Sequence, residues 1–159
     1  MQPSDLQPHP EGGKYQEVYR SRLPVHSSQH GDRNALTHIY FQLESGEYSQ
    51  FHKVRSEEVW NLYQGEGLKL YQWDGKSEHI ETIILSAASQ TFCHVIPADY
   101  WQAAEPLGAQ SVLVGCSVAP GFEFEDFTLI HEHPELSQEL VSKHPSLAHL
   151  ATDSANDHD

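Results

Sequence analysis

The sequence predicts an all-β barrel or sandwich with short helices at its C-terminus. Three observations carry this. Short apolar segments recur about every 8–12 residues, they are rich in β-branched and aromatic side chains, and turn residues separate them. Helical spacing of apolar residues begins only after Pro134.

The first stretch, Gln7-Pro8-His9-Pro10-Glu11-Gly12-Gly13, holds two prolines and a Gly-Gly pair and reads as irregular backbone. A strand is expected over Tyr15–Ser21. Residues 24–34 (PVHSSQHGDRN) are polar and predict a loop. Leu36–Leu43 has strand composition and ends at the turn Glu44-Ser45-Gly46-Glu47. Further strands are predicted at Ser49–Val54, Glu58–Tyr63, Leu68–Trp73, His79–Leu85, Thr91–Ile96, Tyr100–Ala104 and Ser111–Val118. Gln64-Gly65-Glu66-Gly67, Asp74-Gly75 and Pro97-Ala98-Asp99 supply the turns between them.

Gly121 to Phe127 alternates aromatic and acidic residues. That predicts an edge segment with its rings on the body and its carboxylates in water. Leu136, Leu140, Val141, Leu147 and Leu150 then recur at helical steps, and His144-Pro145 divides them into two short helices. Pro134 suits the first turn of one and Ser146 the cap of the other. The expected organisation is a barrel over residues 1–130, a helical segment over 131–151 packed on it, and a polar, acidic, disordered tail over 152–159.

Composition removes several function classes. Lys and Arg total 9 against 23 Asp and Glu, for a formal charge of −14. A binder of duplex nucleic acid, or of a membrane surface through a polybasic patch, needs the opposite balance. No apolar run nears the roughly 20 residues of a membrane span. The first ten residues lack the basic and apolar regions of a secretory signal, so a cytoplasmic location is expected. Cys93 and Cys116 sit in apolar strand segments and read as buried small hydrophobes rather than a disulfide. Most of the 12 histidines are scattered or lie toward the C-terminus, where they read as solvated and their spacings fit no metal-ligand pattern.

One segment stands out for chemistry: Gly46-Glu47-Tyr48-Ser49-Gln50-Phe51-His52-Lys53-Val54-Arg55-Ser56-Glu57-Glu58, running on to Gly65. Period-2 alternation places Gln50, His52 and Val54 on one face of one strand, and Glu58, Trp60 and Leu62 on one face of the next. A histidine beside a carboxylate in a half-enclosed pocket is a general base with an orienting partner.

Gly46, His52, Glu58 and Gly65 match the first signature of the cupin superfamily, G-x5-H-x-H-x3-E-x6-G, with Val54 at the second histidine position. Of the second signature only Pro97 matches; Thr91, Asp99, Gln102 and Pro106 depart from it. HPEGGKYQEVYRS (9–21), the 49–65 segment, VIPADYWQAA (95–104) and VGCSVAPGFEFEDF (114–127) together resemble the cupin-5 family over roughly residues 6–130.

The resemblance implies a double-stranded β-helix, or jelly-roll barrel, with a ligand pocket inside, and a homodimer. It also implies that Glu58 and Gln102 point into the cavity with His52. Those three are the candidate metal ligands, and without the second histidine they form a weak set suited at most to a loosely held divalent ion. Beyond that ion, no cofactor is expected from this inventory.

The leading functional expectation is a small-molecule-binding cupin. It would act as a metal-independent epimerase or isomerase on a carbohydrate-like metabolite, with His52, Glu58 and Tyr63 catalytic. Gln50, Trp60, Gln102, Tyr40 and Arg20 are the ligand-binding candidates. Arg22, Lys53 and Arg55 are further cations for a phosphate or nucleotide. The alternatives are a non-catalytic binding module and, third, a metal-dependent oxygenase or isomerase.

Overall fold

In a computed structural model, which describes residues 5–152, antiparallel sheet is the dominant secondary structure, and the tail expected to be disordered lies, from residue 153 on, outside the described residues. The strands are β1 (Gln7–Pro8), β2 (Lys14–Arg20), β3 (Pro24–Ser27), β4 (Gly31–Asn34), β5 (Thr37–Leu43), β6 (Ser49–Val54) and β7 (Glu57–Gln64). They continue with β8 (Leu68–Trp73), β9 (Glu81–Leu85), β10 (Cys93–Ile96), β11 (Trp101–Pro106), β12 (Val112–Ala119) and β13 (Phe127–Leu129). One sheet has the order β1-β2-β5-β12-β7-β10 and the other β13-β6-β11-β8-β9. This is the expected jelly-roll barrel.

The loop expected over residues 24–34 is instead a hairpin, β3–β4, whose strands pair only with each other. Such a strand pair needs no apolar face, which explains its polar sequence. The leading strand is not wholly unpartnered: β1 covers the edge of β2 at Tyr15 and Lys14.

Alternation sorts the side chains of the second sheet. Leu68 and Leu70 of β8 and Ala104 of β11 face the barrel interior, where they pack with Phe41, Val112 and Val114 from the first sheet. Tyr71, Trp73, Trp101 and Ala103 point the other way and meet Ile130, Leu140 and Leu150. The outer face is thus roofed by α1 (Pro134–Lys143) and a 3-10 turn over Pro145–Leu150, the two helical pieces read from the apolar spacing. His144, rather than Ser146, occupies the cap of the second piece, with Pro145 in its first turn.

The histidines expected in solvent help pin this roof. His144 Nε2 lies 2.9 Å from the Glu78 carbonyl oxygen, and His149 Nε2 lies 2.7 Å from Glu105 Oε2. Cys116 is buried as expected, whereas Cys93 is exposed, because β10 is an edge strand whose outward face also leaves Val95 in solvent.

The barrel interior is divided along the strand direction. On β5, Phe41 and Leu43 fill one end while Thr37 and Ile39 border open space at the other. On β12 the same change runs from Val112 and Val114 to Cys116 and Val118, and on β7 from Trp60 to Glu58. One end is solid with Leu68, Leu70 and Leu85, each fully buried and each stabilising by roughly 1.5–3 kcal/mol. The other end is hollow.

Candidate functional site

The hollow end is a cavity of about 280 Å³. Its floor is polar. His52 and Glu58 come from β6 and β7, which belong to opposite sheets. His9 and Glu11 come from the irregular segment that leads into β2.

That segment can tuck against β6 because of its two glycines. Gly12 and Gly13 adopt φ of +112° and +68°, and a Cβ at Gly12 would collide with the Tyr48 carbonyl oxygen. The Glu11 carbonyl then accepts the Gln50 backbone N–H at 2.8 Å.

Glu11 meets both imidazoles, His9 through its backbone N–H and His52 through its carboxylate. Its Oε2 accepts the Ser49 hydroxyl and lies 3.1 Å from His52 Nδ1, while Oε1 lies 3.2 Å from His9 Nδ1. The tautomers follow from the backbone partners. His52 Nδ1 is 2.7 Å from the Gln50 carbonyl oxygen, which can only accept, so Nδ1 carries the proton and Nε2 is bare. His9 Nδ1 accepts the Glu11 backbone N–H at 3.1 Å, so its own proton sits on Nε2. The two rings therefore offer opposite hydrogen-bonding atoms.

Glu58 is set by a second network that spans the barrel. The Trp60 indole N–H, a donor only, reaches Gln102 Oε1 at 2.7 Å. This turns the Gln102 amide nitrogen toward Glu58, where it donates to Oε1 at 3.1 Å. The Cys116 thiol also bonds the Glu58 carboxyl.

Burial decides the protonation of the floor. It pushes the Glu58 carboxyl up to about 8, with the nearby Glu11 adding to the effect. Burial likewise raises Glu11 against the opposing pull of His9 and Ser49, and raises the Cys116 thiol well above its ordinary value. It lowers His52 to about 4 and also lowers His9. At neutral pH the floor holds neutral imidazoles and a neutral Glu58 acid.

One wall is aromatic. Phe122, Phe124 and Phe127 stand nearly perpendicular to one another, with ring centroids 5.0–6.1 Å apart. They belong to the segment expected to keep its carboxylates in water, and that expectation needs correction at Asp126. Its side chain is buried and paired with Arg33 through Nε at 2.9 Å and Nη2 at 2.8 Å. An alternating pattern cannot register such a long-range partner.

The expected site residues separate into groups. His52, Glu58 and Arg20 border the cavity. The carboxylate that meets His52 Nδ1 is that of Glu11. Gln102 and Trp60 sit behind Glu58 as supports, with Trp60 in the packed core. The Gln50 amide donates to the Thr152 carbonyl oxygen at 2.6 Å instead of facing the cavity.

Tyr63 and Tyr40 lie on the outside of the barrel. There Tyr63 is 46% exposed, its hydroxyl is 2.9 Å from His38 Nε2, and the two tyrosine rings meet edge to face. The alternation that turns Glu58 and Trp60 inward turns Tyr63 outward. Lys53 is also outside, 5.2 Å over the Trp101 ring.

His9 and Glu11 escaped the sequence reading. The signal available was a histidine and a glutamate two apart, just before a double glycine.

The donors at the cupin metal positions do not fit a transition metal. Val54 offers nothing, and the Gln102 oxygen is engaged by Trp60. Among the described residues no group of three or more His, Cys, Asp or Glu side chains is placed to hold an ion.

Known structures share this architecture. A hypothetical protein from Leishmania major is 24% identical, with a TM-score of 0.75, over 92% of this chain and 90% of that one. An X-ray structure of a Shewanella oneidensis protein is 30% identical, with a TM-score of 0.76, over 92% and 88%. The capsular polysaccharide assembling protein CapF from Staphylococcus aureus, 15% identical with a TM-score of 0.60, shares the fold over 78% of this chain and 31% of its own. No curated protein matches. A family model described as Cupin_5, cupin superfamily (DUF985), matches residues 1–130, and by that match the chain belongs to the cupin superfamily in its Cupin_5 family.

Proposed function

We propose that the chain binds a small carbohydrate-like metabolite in the hollow end of its barrel and epimerises or isomerises it by general acid–base chemistry, without a metal. The observation that carries this reading is the divergence of His52 and Glu58 within one cavity. The histidine is held unprotonated with a bare Nε2, and the glutamic acid is held protonated. Surroundings that push two titratable groups apart keep a base and an acid in working form at one pH.

In this reading His52 Nε2 takes a proton from the carbon beside a carbonyl, and the C–H pair becomes the new C=C bond. Glu58 gives its proton to the carbonyl oxygen, and an enol results. For the epimer, the enol turns over in the cavity, its O–H returns the proton to Glu58, and the His52 imidazolium protonates the other face. For the isomer, the imidazolium protonates the former carbonyl carbon while Glu58 takes the proton of the neighbouring hydroxyl. Either course restores both groups. Glu11 steadies the transient imidazolium through Nδ1–H. Glu58 is thus the acid, and Tyr63, bonded to His38 on the outer face, takes no part. A homodimer covering the remaining edge of β2 belongs to the same reading, and sedimentation as a single 18.0 kDa species would exclude it.

The test is solvent exchange. Uncharged ketoses and aldoses are incubated with the protein in deuterium oxide and followed by proton NMR. Deuterium at the carbon beside the carbonyl, lost in His52→Gln and in Glu58→Gln, is the expected result. Exchange that persists in His52→Gln refutes the assignment. Saturable binding with no exchange favours the non-catalytic binding module instead.

A further inference from the structure

Arg20 is the only lysine or arginine that borders the cavity among the described residues. A phosphorylated or nucleotide-linked ligand would have to use it. A guanidinium has five N–H donors, and all five are engaged. Nε donates to Glu17 Oε2 at 3.3 Å. Nη1 donates to Asn34 Oδ1 and Glu123 Oε1, both at 2.9 Å. Nη2 donates to Glu17 Oε1 at 2.7 Å and to the Phe122 carbonyl oxygen at 3.1 Å.

Two carboxylates face one cation at the mouth of the cavity, so the mouth carries a net negative charge. Below it, the bare Nε2 of His52 and the Nε2–H of His9 present an acceptor and a donor. The volume of about 280 Å³ equals the liquid volume of about nine waters, which suits a single ring. The wall of Phe122, Phe124 and Phe127 gives such a ring an apolar face to lie against.

We propose that the cavity is selective for an uncharged, single-ring ligand and excludes phosphorylated or other anionic metabolites. Arg20 acts as a bolt, holding the Phe122–Glu123 segment to β2 and β4, and Glu17 and Glu123 form the charge filter. This rests on the cavity being the ligand site. An anion at the mouth would have to displace a carboxylate from Arg20 and then sit beside it, so specificity here comes from repulsion as much as attraction.

Inorganic phosphate is the probe, followed by phosphorus NMR and calorimetry on the full chain. The wild type is expected to show no saturable binding up to millimolar concentration. The Glu17→Ala, Glu123→Ala double variant frees donors on Arg20 and should bind phosphate at least about tenfold more tightly, a gain erased by adding Arg20→Gln. Glu17→Ala alone, which keeps Glu123 on Arg20, should show a smaller gain and serves if the double variant does not fold.

Saturable binding by the wild type that Arg20→Gln abolishes would overturn the proposal. So would a folded carboxylate variant that gains nothing. Neither outcome depends on proton exchange. The charge filter can therefore fail while the acid–base reading stands, and the reverse.

Discussion

Replacing Glu58 by Gln should make the protein more stable at alkaline pH and leave it nearly unchanged at acid pH. The carboxyl moves from its ordinary 4.5 to about 8 on folding, chiefly through burial. Between those values the native chain holds a proton that the unfolded chain has released. The stabilising contribution is fully present below pH 4.5 and is lost as the pH rises to about 8.

Each pH unit in that window corresponds to ~1.4 kcal/mol. The span from pH 5 to 8 therefore costs the wild type about 4 kcal/mol relative to a side chain that cannot titrate. Gln is close to isosteric, still accepts from the Gln102 amide, and presents its own N–H₂ where the acid held its proton. His52 acts in the opposite sense: the native ring binds fewer protons than the unfolded one between about 4 and 6.5, so its contribution falls as the pH drops through that window. It is common to both proteins and cancels in the difference.

Urea unfolding of both proteins at pH 5, 6, 7 and 8 measures the effect directly. The stability difference should grow steadily in favour of Glu58→Gln. Parallel curves, with a difference constant to about 0.5 kcal/mol, would show that Glu58 is ionised in the folded protein and would remove the acid from the proposed mechanism.

Gly12→Ala should destabilise by more than 1 kcal/mol, because the left-handed backbone and the Tyr48 carbonyl both oppose a Cβ; thermal denaturation reads the loss, and any ligand of the cavity should weaken with it. Trp60→Phe should cost about 2–4 kcal/mol in urea unfolding, since it leaves the Gln102 oxygen buried without its donor and opens space in the core. Tyr63→Phe should leave ligand affinity and solvent exchange within about twofold of wild type, because the hydroxyl bonds His38 on the outer face.

Strand composition made most of the barrel legible. Ser49–Val54 and Leu68–Trp73 coincide with β6 and β8, and Leu36–Leu43 misses β5 by one residue. The β3–β4 hairpin was hidden because its residues bury no apolar face, leaving no periodic signal to read. At the site, His52 and Glu58 were legible as positions in a spaced motif, and both border the cavity.

The contacts around them were not legible. Glu11 reaches His52 from a segment with no helical or strand period, and only the folded path of two left-handed glycines brings it there. Asp126 looked like one more surface carboxylate because its partner, Arg33, lies in the hairpin that composition had concealed. Tyr63 is a different case, since alternation along β7 alone was enough to place it outside.

The division of the barrel into a filled end and a hollow end lets the fold and its specificity change independently. Truncating Leu70 or Val114 opens a void among close-packed neighbours, so the cost includes a cavity term as well as lost transfer energy. Val54 and Val118 already border empty space, and exchanging them reshapes that space without unseating the packing at the other end. Sequence change can therefore accumulate at one end of the same strands while the opposite end keeps the chain folded. In engineering terms, a library restricted to Val54 and Val118 would alter what the cavity accepts while retaining most of the stability of the parent barrel.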